Sequence, residues 1–418
     1  MSAPGDPLAA QKARAAAETV ARASYGKLVA WLAARSRDVA GAEDALADAF
    51  AAALTDWPRQ GVPERPEAWL LTVARRRAID GIRRQKHASD AAPQVRLIAE
   101  ELEDMTETEI PDRRLALMFA CAHPALDPAI RAPLILQTVL GLDAAAIASA
   151  FLVSPATMGQ RLVRAKQKIR QAGIPFAVPG RAELAGRLDA VLEAIYAAFA
   201  EGWSDPAGTE ARRRDLTGEG IWLGRLVASL LPDEPEALGL LALMLHAEAR
   251  RGARRNADGD YVPLAEQDPA HWDMRLIDEA EAALGRAGGM GQIGRYQLEA
   301  AVQSAHVVRR RTGRADWAAI VQLYDALLAM TASPVVAINR ATALAETAGP
   351  AAGLAALDEI AGDARLAEYQ PYWAARATLL ARCGRGADAA AAYLRAIGLE
   401  TDPAVRRFLQ ARADSLAN

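Results

Sequence analysis

The 418-residue chain holds two cysteines, Cys121 and Cys383, and five scattered histidines. Cysteines that far apart build neither a disulfide framework nor a CxxC zinc spacing, which fits a reducing cytoplasm. The histidines form no HExxH or similar set, so neither metal nor cofactor is expected. No Ser-His-Asp arrangement, P-loop or GxGxxG is visible, and GRAGGMGQIG at 285–294 reads as a glycine loop with no strand before it. Enzyme chemistry is therefore not expected. The first 26 residues lack the apolar core of a signal peptide, and no run approaches the ~18 apolar residues of a membrane span, so a cytoplasmic protein is expected. Overall positive charge is absent too, the formal net charge being −3. Any nucleic-acid contact must come from local basic patches.

What is present is alanine-rich helix. Apolar residues make up 52% of the chain, and they recur at spacings of three and four almost everywhere, while alternating strand patterns are nearly missing. The expectation is an all-α protein of two or three domains, on the soft prior of roughly 150 residues each. In DVAGAEDALADAFAAALTDW one stripe carries Ala42, Ala45, Leu46, Ala49, Phe50, Ala53, Leu54 and Trp57, leaving Glu43, Asp44 and Asp48 to face solvent or a partner. Pro58 to Pro66 is too rich in Pro and Gly to be helical. The helix after it buries Leu70, Leu71, Val73, Ala74, Ala78 and Ile82 and displays Arg75, Arg76, Arg77, Arg83, Arg84 and Lys86. Trp69, at its amphipathic start, fits the core better than a base-stacking platform.

Residues 98–112 carry seven carboxylates and no basic group, the composition of a solvated linker. Next comes a second helical block, 113–175. Within it Asp143 caps a short helix, Leu152-Val153-Ser154 turns the chain, and Ser154-Pro155 starts a basic helix with a good N-cap and a good first residue. Met158 and Leu162 turn inward. Thr157, Gln160, Arg161 and Arg164 lie outward, with Lys166, Lys168 and Arg170 beyond. That is a helix-turn-helix layout, with base-reading side chains early in the second helix and phosphate-neutralising ones later.

Past 182 the chain reads as helix after helix. RATALAETAGPAAGLAALDEI from Arg340 is echoed 36 residues on by RATLLARCGRGADAAAAYLRAI from Arg376, a period of helix-turn-helix solenoids. Trp373, Ala377, Leu380, Gly384, Ala389, Tyr393 and Ala396 stand at the positions of a tetratricopeptide repeat; the earlier copy has Ala337 in place of the Trp. DPAVRRFLQARADSL reads as a capping helix. Tyr261, Gln267, Asp268 and Trp272 form a polar-aromatic stretch between helices, read as a loop packing its own aromatics before a ligand pocket.

GAEDALADAF…EAWLLTVARRRAIDGIRR followed by GLDAAAIASAFLVSPATMGQRLVRAKQKI resembles an extracytoplasmic-function sigma factor of RNA polymerase, the first stretch similar to region two and the second to region four. LALMFACAHPAL, LPDEPEALGLLALMLHAEAR and SPVVAINRATALAE extend the resemblance to the subgroup with a tetratricopeptide-like C-terminal extension. It implies region two at 14–90, an acidic linker at 91–112, region four at 113–175 and the extension at 182–418. It further implies that Glu43, Asp44 and Asp48 dock on the β′ clamp helices of core polymerase, with region four at the β flap. The loop Pro58–Pro66 would capture a flipped −10 base. Arg75, Arg76, Arg83, Arg84 and Trp69 would hold DNA at the −10 element, and Thr157, Gln160, Arg161, Arg164 and Lys168 would read the −35 element. A DGPF-motif protein is an implied associate. Two departures stand out. Position 76 is Arg where such factors often have Asn, and the subgroup's paired cysteines are here Cys121 and Ala122, which weakens any metal or redox role there. The rival reading is a stand-alone helix-turn-helix regulator with a solenoid sensor, which would not need the acidic and basic helices of 43–86.

Overall fold

A computed structural model describes residues 7–86, 113–150, 153–203 and 211–416. They are helical throughout, with no sheet among the described residues and one isolated bridge, Arg255 with Tyr261. The chain divides into two compact units, Met1–Glu201 and Gly202–Asn418.

In the first unit α1 (Pro7–Ser36) is the shared centre. It packs on α2 (Val39–Gln60) and α3 (Pro66–Lys86), and also on α4 (Arg114–Cys121) and α5 (Pro128–Leu140). Six consecutive residues, Leu28 to Ala33, are buried, which only a helix covered on all sides can show. Close approach is built in at Gly26, where a Cβ would sit 2.2 Å from the Val139 carbonyl oxygen of α5. The turn ending α5 places Gly141 at φ +68°, against the Tyr25 ring. The short α6 (Ala144–Ala150) and α7 (Pro155–Gln171) follow, then α8 (Arg181–Trp203).

Three details differ from the sequence reading. Helix α2 runs through Pro58 to Gln60, so the connection to α3 is only 61–65; Pro58 is tolerated one turn from the end of the helix. Leu54 is exposed, because at about 100° per residue it lies about 60° past Trp57, off the buried line. Ile79 of α3 is buried although the expected face did not include it.

The second unit is built on α9 (Ala211–Leu230) and α10 (Pro235–Ala249), the latter apolar on every side and covered by α9, α11 (Met274–Gly288) and α12 (Arg295–Thr312). The glycine stretch from 285 is half helix: α11 continues to Gly288 before the chain turns. From α12 onward each helix packs on the next: α13 (Trp317–Thr331), α14 (Pro334–Thr347), α15 (Pro350–Glu359), α16 (Gln370–Arg382), α17 (Gly386–Leu399) and α18 (Pro403–Asp414). Helix α14 also touches α16. Ala377, Leu380, Ala389, Tyr393 and Ala396 share one buried cluster, and Gly384 takes φ +74° in the turn between α16 and α17. The 36-residue echo recurs as chemistry: Arg340 pairs with Asp325 at 2.5 Å and Arg376 with Asp358 at 2.6 Å.

The loop between α10 and α11 is fastened to the last helix. Arg255 pairs with Asp402 at 2.5 Å, Arg407 with Asp260 at 2.7 Å, and Arg412 with Glu266. Within that loop Trp272 and Gln267 are buried, the Gln267 amide donates to the Val262 carbonyl at 3.2 Å, and Tyr261 meets Phe408 edge-on at 5.5 Å. Asp268 accepts from the Ala270 amide at 2.8 Å. The stretch packs its own aromatics, while the Gln267 amide oxygen and the Trp272 indole N–H are buried without a hydrogen-bond partner among the described residues.

Candidate nucleic-acid interface

Two faces of the first unit hold most of the residues singled out from sequence. The acidic one is on α2. Asp38 caps this helix, accepting from the Gly41 amide at 3.1 Å. Around the helix, Asp44 and Asp48 lie about 160° from the buried line through Leu46 and are exposed. Glu43 falls only about 60° from that line, and this difference decides its surroundings. Its carboxylate accepts from the Lys166 ammonium of α7, and the two side chains are only 14% and 11% exposed. Burial pushes the Glu43 carboxyl above the usual carboxylate range, with Lys166 pulling it back down. One turn on, Arg170 pairs with Asp38 at 3.2 Å. The expectation that Glu43 faces solvent or a partner beside Asp44 and Asp48 is therefore corrected: its carboxylate is paired with Lys166 within the unit.

The basic face is on α7. Ser154 caps the helix, its hydroxyl accepting from the Thr157 amide at 3.2 Å, and Asp143 caps α6 by accepting from the Ala146 amide at 2.8 Å. Met158, Leu162, Ala165 and Ile169 are buried. To one side of that line stand Lys166 and Arg170, facing α2. To the other stand Thr157, Gln160, Arg161, Arg164 and Lys168, all exposed. Of the three cations expected in a free basic tail, Lys166 and Arg170 are thus engaged with α2, and Lys168 points away from it. The edge that meets α2 and the edge that displays polar side chains lie on opposite sides of one helix. Nothing in a sequence pattern pairs residues 123 positions apart, so Lys166 was not separable from its neighbours beforehand.

On α3, Arg76 is exposed, and Arg75 is half-buried with its Nε unpartnered. Arg83 and Arg84 lie on the helix, but their side chains are outside the described residues, as is the acidic linker of 91–112. Trp69 is half-buried and meets Trp57 edge-on at 5.5 Å, a packing role at the α2–α3 corner that leaves part of the ring open. In the connecting loop Gly61 takes φ +88° and Val62, Glu64 and Arg65 are exposed. Cys121 is buried 3.6 Å from the Thr138 hydroxyl, its thiol pushed up to about 12 by burial, so it is an inert core residue. His123 accepts from the Ala125 amide at 3.1 Å, a local cap. Among the described residues no three His, Cys, Asp or Glu side chains are grouped to hold a metal, and no helix is long and apolar enough to cross a membrane.

Comparison with known proteins adds three findings. Residues 20–88 match the family model described as Sigma-70 region 2, which spans α2, α3 and most of α1. Residues 187–288 match a family of unknown function, DUF6596. A protein of Rhizobium meliloti (strain 1021), bearing the description "Uncharacterized protein R00370", is 40% identical over 385 residues, covering 90% of each chain. No solved structure matches the chain.

Proposed function

The chain belongs to one family with the Rhizobium meliloti protein and carries a sigma-70 region 2, and on that footing we propose that it is an extracytoplasmic-function sigma factor with a regulatory C-terminal extension. A sigma-70 region 2 supports a role in transcription initiation through core RNA polymerase and promoter DNA. Sigma factors bring no catalysis of their own.

The observation that carries the finer reading is the division of labour around α7. A polar-basic face of Thr157, Gln160, Arg161, Arg164 and Lys168 is exposed while the opposite edge is fixed to α2. In this proposal α6 and α7 are a helix-turn-helix reading the −35 element, with Gln and Arg at base edges and Lys168 at phosphate. Asp44 and Asp48 dock on the β′ clamp helices. Glu43 joins them only once Lys166 releases it. The 61–65 loop, the open part of Trp69 and the cations of α3, including Arg75, Arg76, Arg83 and Arg84, hold the −10 strand. The helical extension, whose α16–α17 hairpin supports a tetratricopeptide-like reading, regulates the factor.

Run-off transcription with purified core polymerase, on a template carrying the gene's own upstream region, tests the proposal. A discrete transcript that is lost with Asp44→Ala/Asp48→Ala supports it. A chain that binds duplex DNA yet neither binds core polymerase nor yields a transcript would be a stand-alone regulator, and the proposal would be discarded.

A further inference from the structure

In the second unit a cavity of about 700 Å³ opens between α12, α13 and α14, with Leu264 and Ala265 of the long loop on one side. Its wall is formed by His306 and Arg309 of α12, Arg314 of the following turn, Trp317 and Tyr324 of α13 and Asn339 of α14. Trp317 and His306 meet edge-on at 5.4 Å. The size is that of a small-molecule site, and the lining combines apolar surface with a few convergent polar groups.

Charge decides which molecule fits. The Arg309 guanidinium donates to the carbonyls of Leu264 at 3.0 Å, Ala265 at 2.8 Å and Gln267 at 2.5 Å. Close by, the largely buried Arg250 donates to the His246 carbonyl at 3.3 Å and to the Gln303 amide oxygen. Among the described residues neither arginine makes an ion pair. Their hydrogen-bond partners supply dipoles and no negative charge, although a cation as enclosed as Arg250 calls for a counter-charge. The neighbouring carboxylates are already committed: Glu346, on the cavity rim, to Arg382, and Glu299 to Arg295 at 2.7 Å. The surplus is felt by His306, whose imidazole is pushed down to about 4 by burial and by Arg250 and Arg309, so it stands neutral, offering a donor and an acceptor. Tyr324 is pushed up to about 12, chiefly by burial, and keeps its phenolic proton. The side chains of His306, Arg314, Tyr324 and Asn339 make no hydrogen bond to protein among the described residues, and all four line the same space.

We propose that this cavity binds a small organic anion, a carboxylate or phosphate group carried on a flat apolar body, with Arg309, Arg314 and Asn339 at the charged end and Trp317 along the body. The site owes nothing to the reading of the first unit, so it stands or falls separately from promoter recognition. Calorimetric titration of the full chain with phenyl phosphate, benzoate and benzyl alcohol tests it. Saturable one-to-one binding of either anion is expected, with the tighter of the two identifying the head group, and the neutral alcohol weaker by about tenfold or more. Arg314→Gln and Asn339→Ala alter exposed side chains that the fold does not use, so each should weaken the anion about tenfold while the circular dichroism stays unchanged. Absence of binding by both anions overturns the proposal. Equal binding of the alcohol, or affinity untouched in both variants, overturns it too.

Discussion

Replacing Lys166 with methionine keeps the length of the side chain and removes its charge, leaving Glu43 without its partner. The two ion pairs between α2 and α7 differ in solvent access, and that difference sets the size of the effect. Arg170 and Asp38 are 52% and 22% exposed, so water and salt screen them, and losing Arg170 should cost no more than about 1 kcal/mol. Lys166 and Glu43 are 11% and 14% exposed. Removing one partner of a well-buried pair costs about 3–5 kcal/mol, because the other charge is stranded; the residual exposure here argues for the lower end, about 3 kcal/mol. In a unit of some 200 residues that is a fall in Tm of roughly 6–12 °C. The pH dependence carries a sign. Glu43 already titrates above its ordinary value when folded, so the folded state holds its proton more tightly than the unfolded chain does. Stability from this group therefore declines as pH rises from the unfolded value of about 4.5 through the folded one. Without Lys166 the folded value rises further, so the deficit of Lys166→Met should grow as pH rises toward 7 and shrink as pH is lowered toward about 4.5. Adding Glu43→Gln should recover most of the loss at pH 7 and abolish its pH dependence. The assay is thermal unfolding of the full chain, with hydrogen exchange of α2 and α7 to assign the change to the first unit. A deficit below about 1 kcal/mol, equal to that of Arg170→Met, would refute the reasoning, as would a double variant no better than the single one.

Gly26→Ala should cost about 2 kcal/mol or more in unfolding experiments, since its Cβ would meet the Val139 carbonyl oxygen; Gly218→Ala, with open space around it, should be neutral or stabilising by up to about 1 kcal/mol. Arg161→Ala/Arg164→Ala should leave the Tm unchanged while weakening duplex binding, with the salt dependence of affinity flattened by up to about one unit of slope for each lost phosphate contact. His246 and His306 both titrate near 4 when folded because of burial, below the ordinary 6.5. The unfolded chain therefore takes up protons first, and the second unit should lose stability as pH falls from about 6.5 to 4, by up to roughly 3 kcal/mol per histidine. His246→Leu should flatten that decline, and a decline of unchanged steepness would count against the assignment.

Much of this architecture is written in local pattern. The stripe of α2, the start of α3 at Pro66, the Ser154-Pro155 start of α7 and the hairpin around Gly384 each follow from spacing or capping within a few residues, where backbone rules dominate. The failures share one cause. Leu54 and Ile79 sit at the margins of their stripes, where burial depends on which neighbour happens to pack there. Glu43 could have been set apart from Asp44 and Asp48 by its angle to the buried line, but its partner could not, since Lys166 comes from another helix. The cavity of the second unit is hidden for the same reason: its walls come from positions 264 to 346, on separate helices and loops that only packing brings together.

The three ion pairs that fasten the 250–273 loop to α18 change how the second unit should come apart. Stacks of helical hairpins ordinarily melt from their ends, each hairpin stabilised only by its neighbours. Here the last helix is joined to a loop about 147 positions earlier, so its fraying would expose Tyr261 and Phe408 together and loosen the wall of the cavity as well. The unit should therefore unfold as a closed loop of contacts, with a high cost of first closure and a single cooperative transition in thermal unfolding. A nonsense mutation or a bulky tag within the final dozen residues would be felt near its beginning.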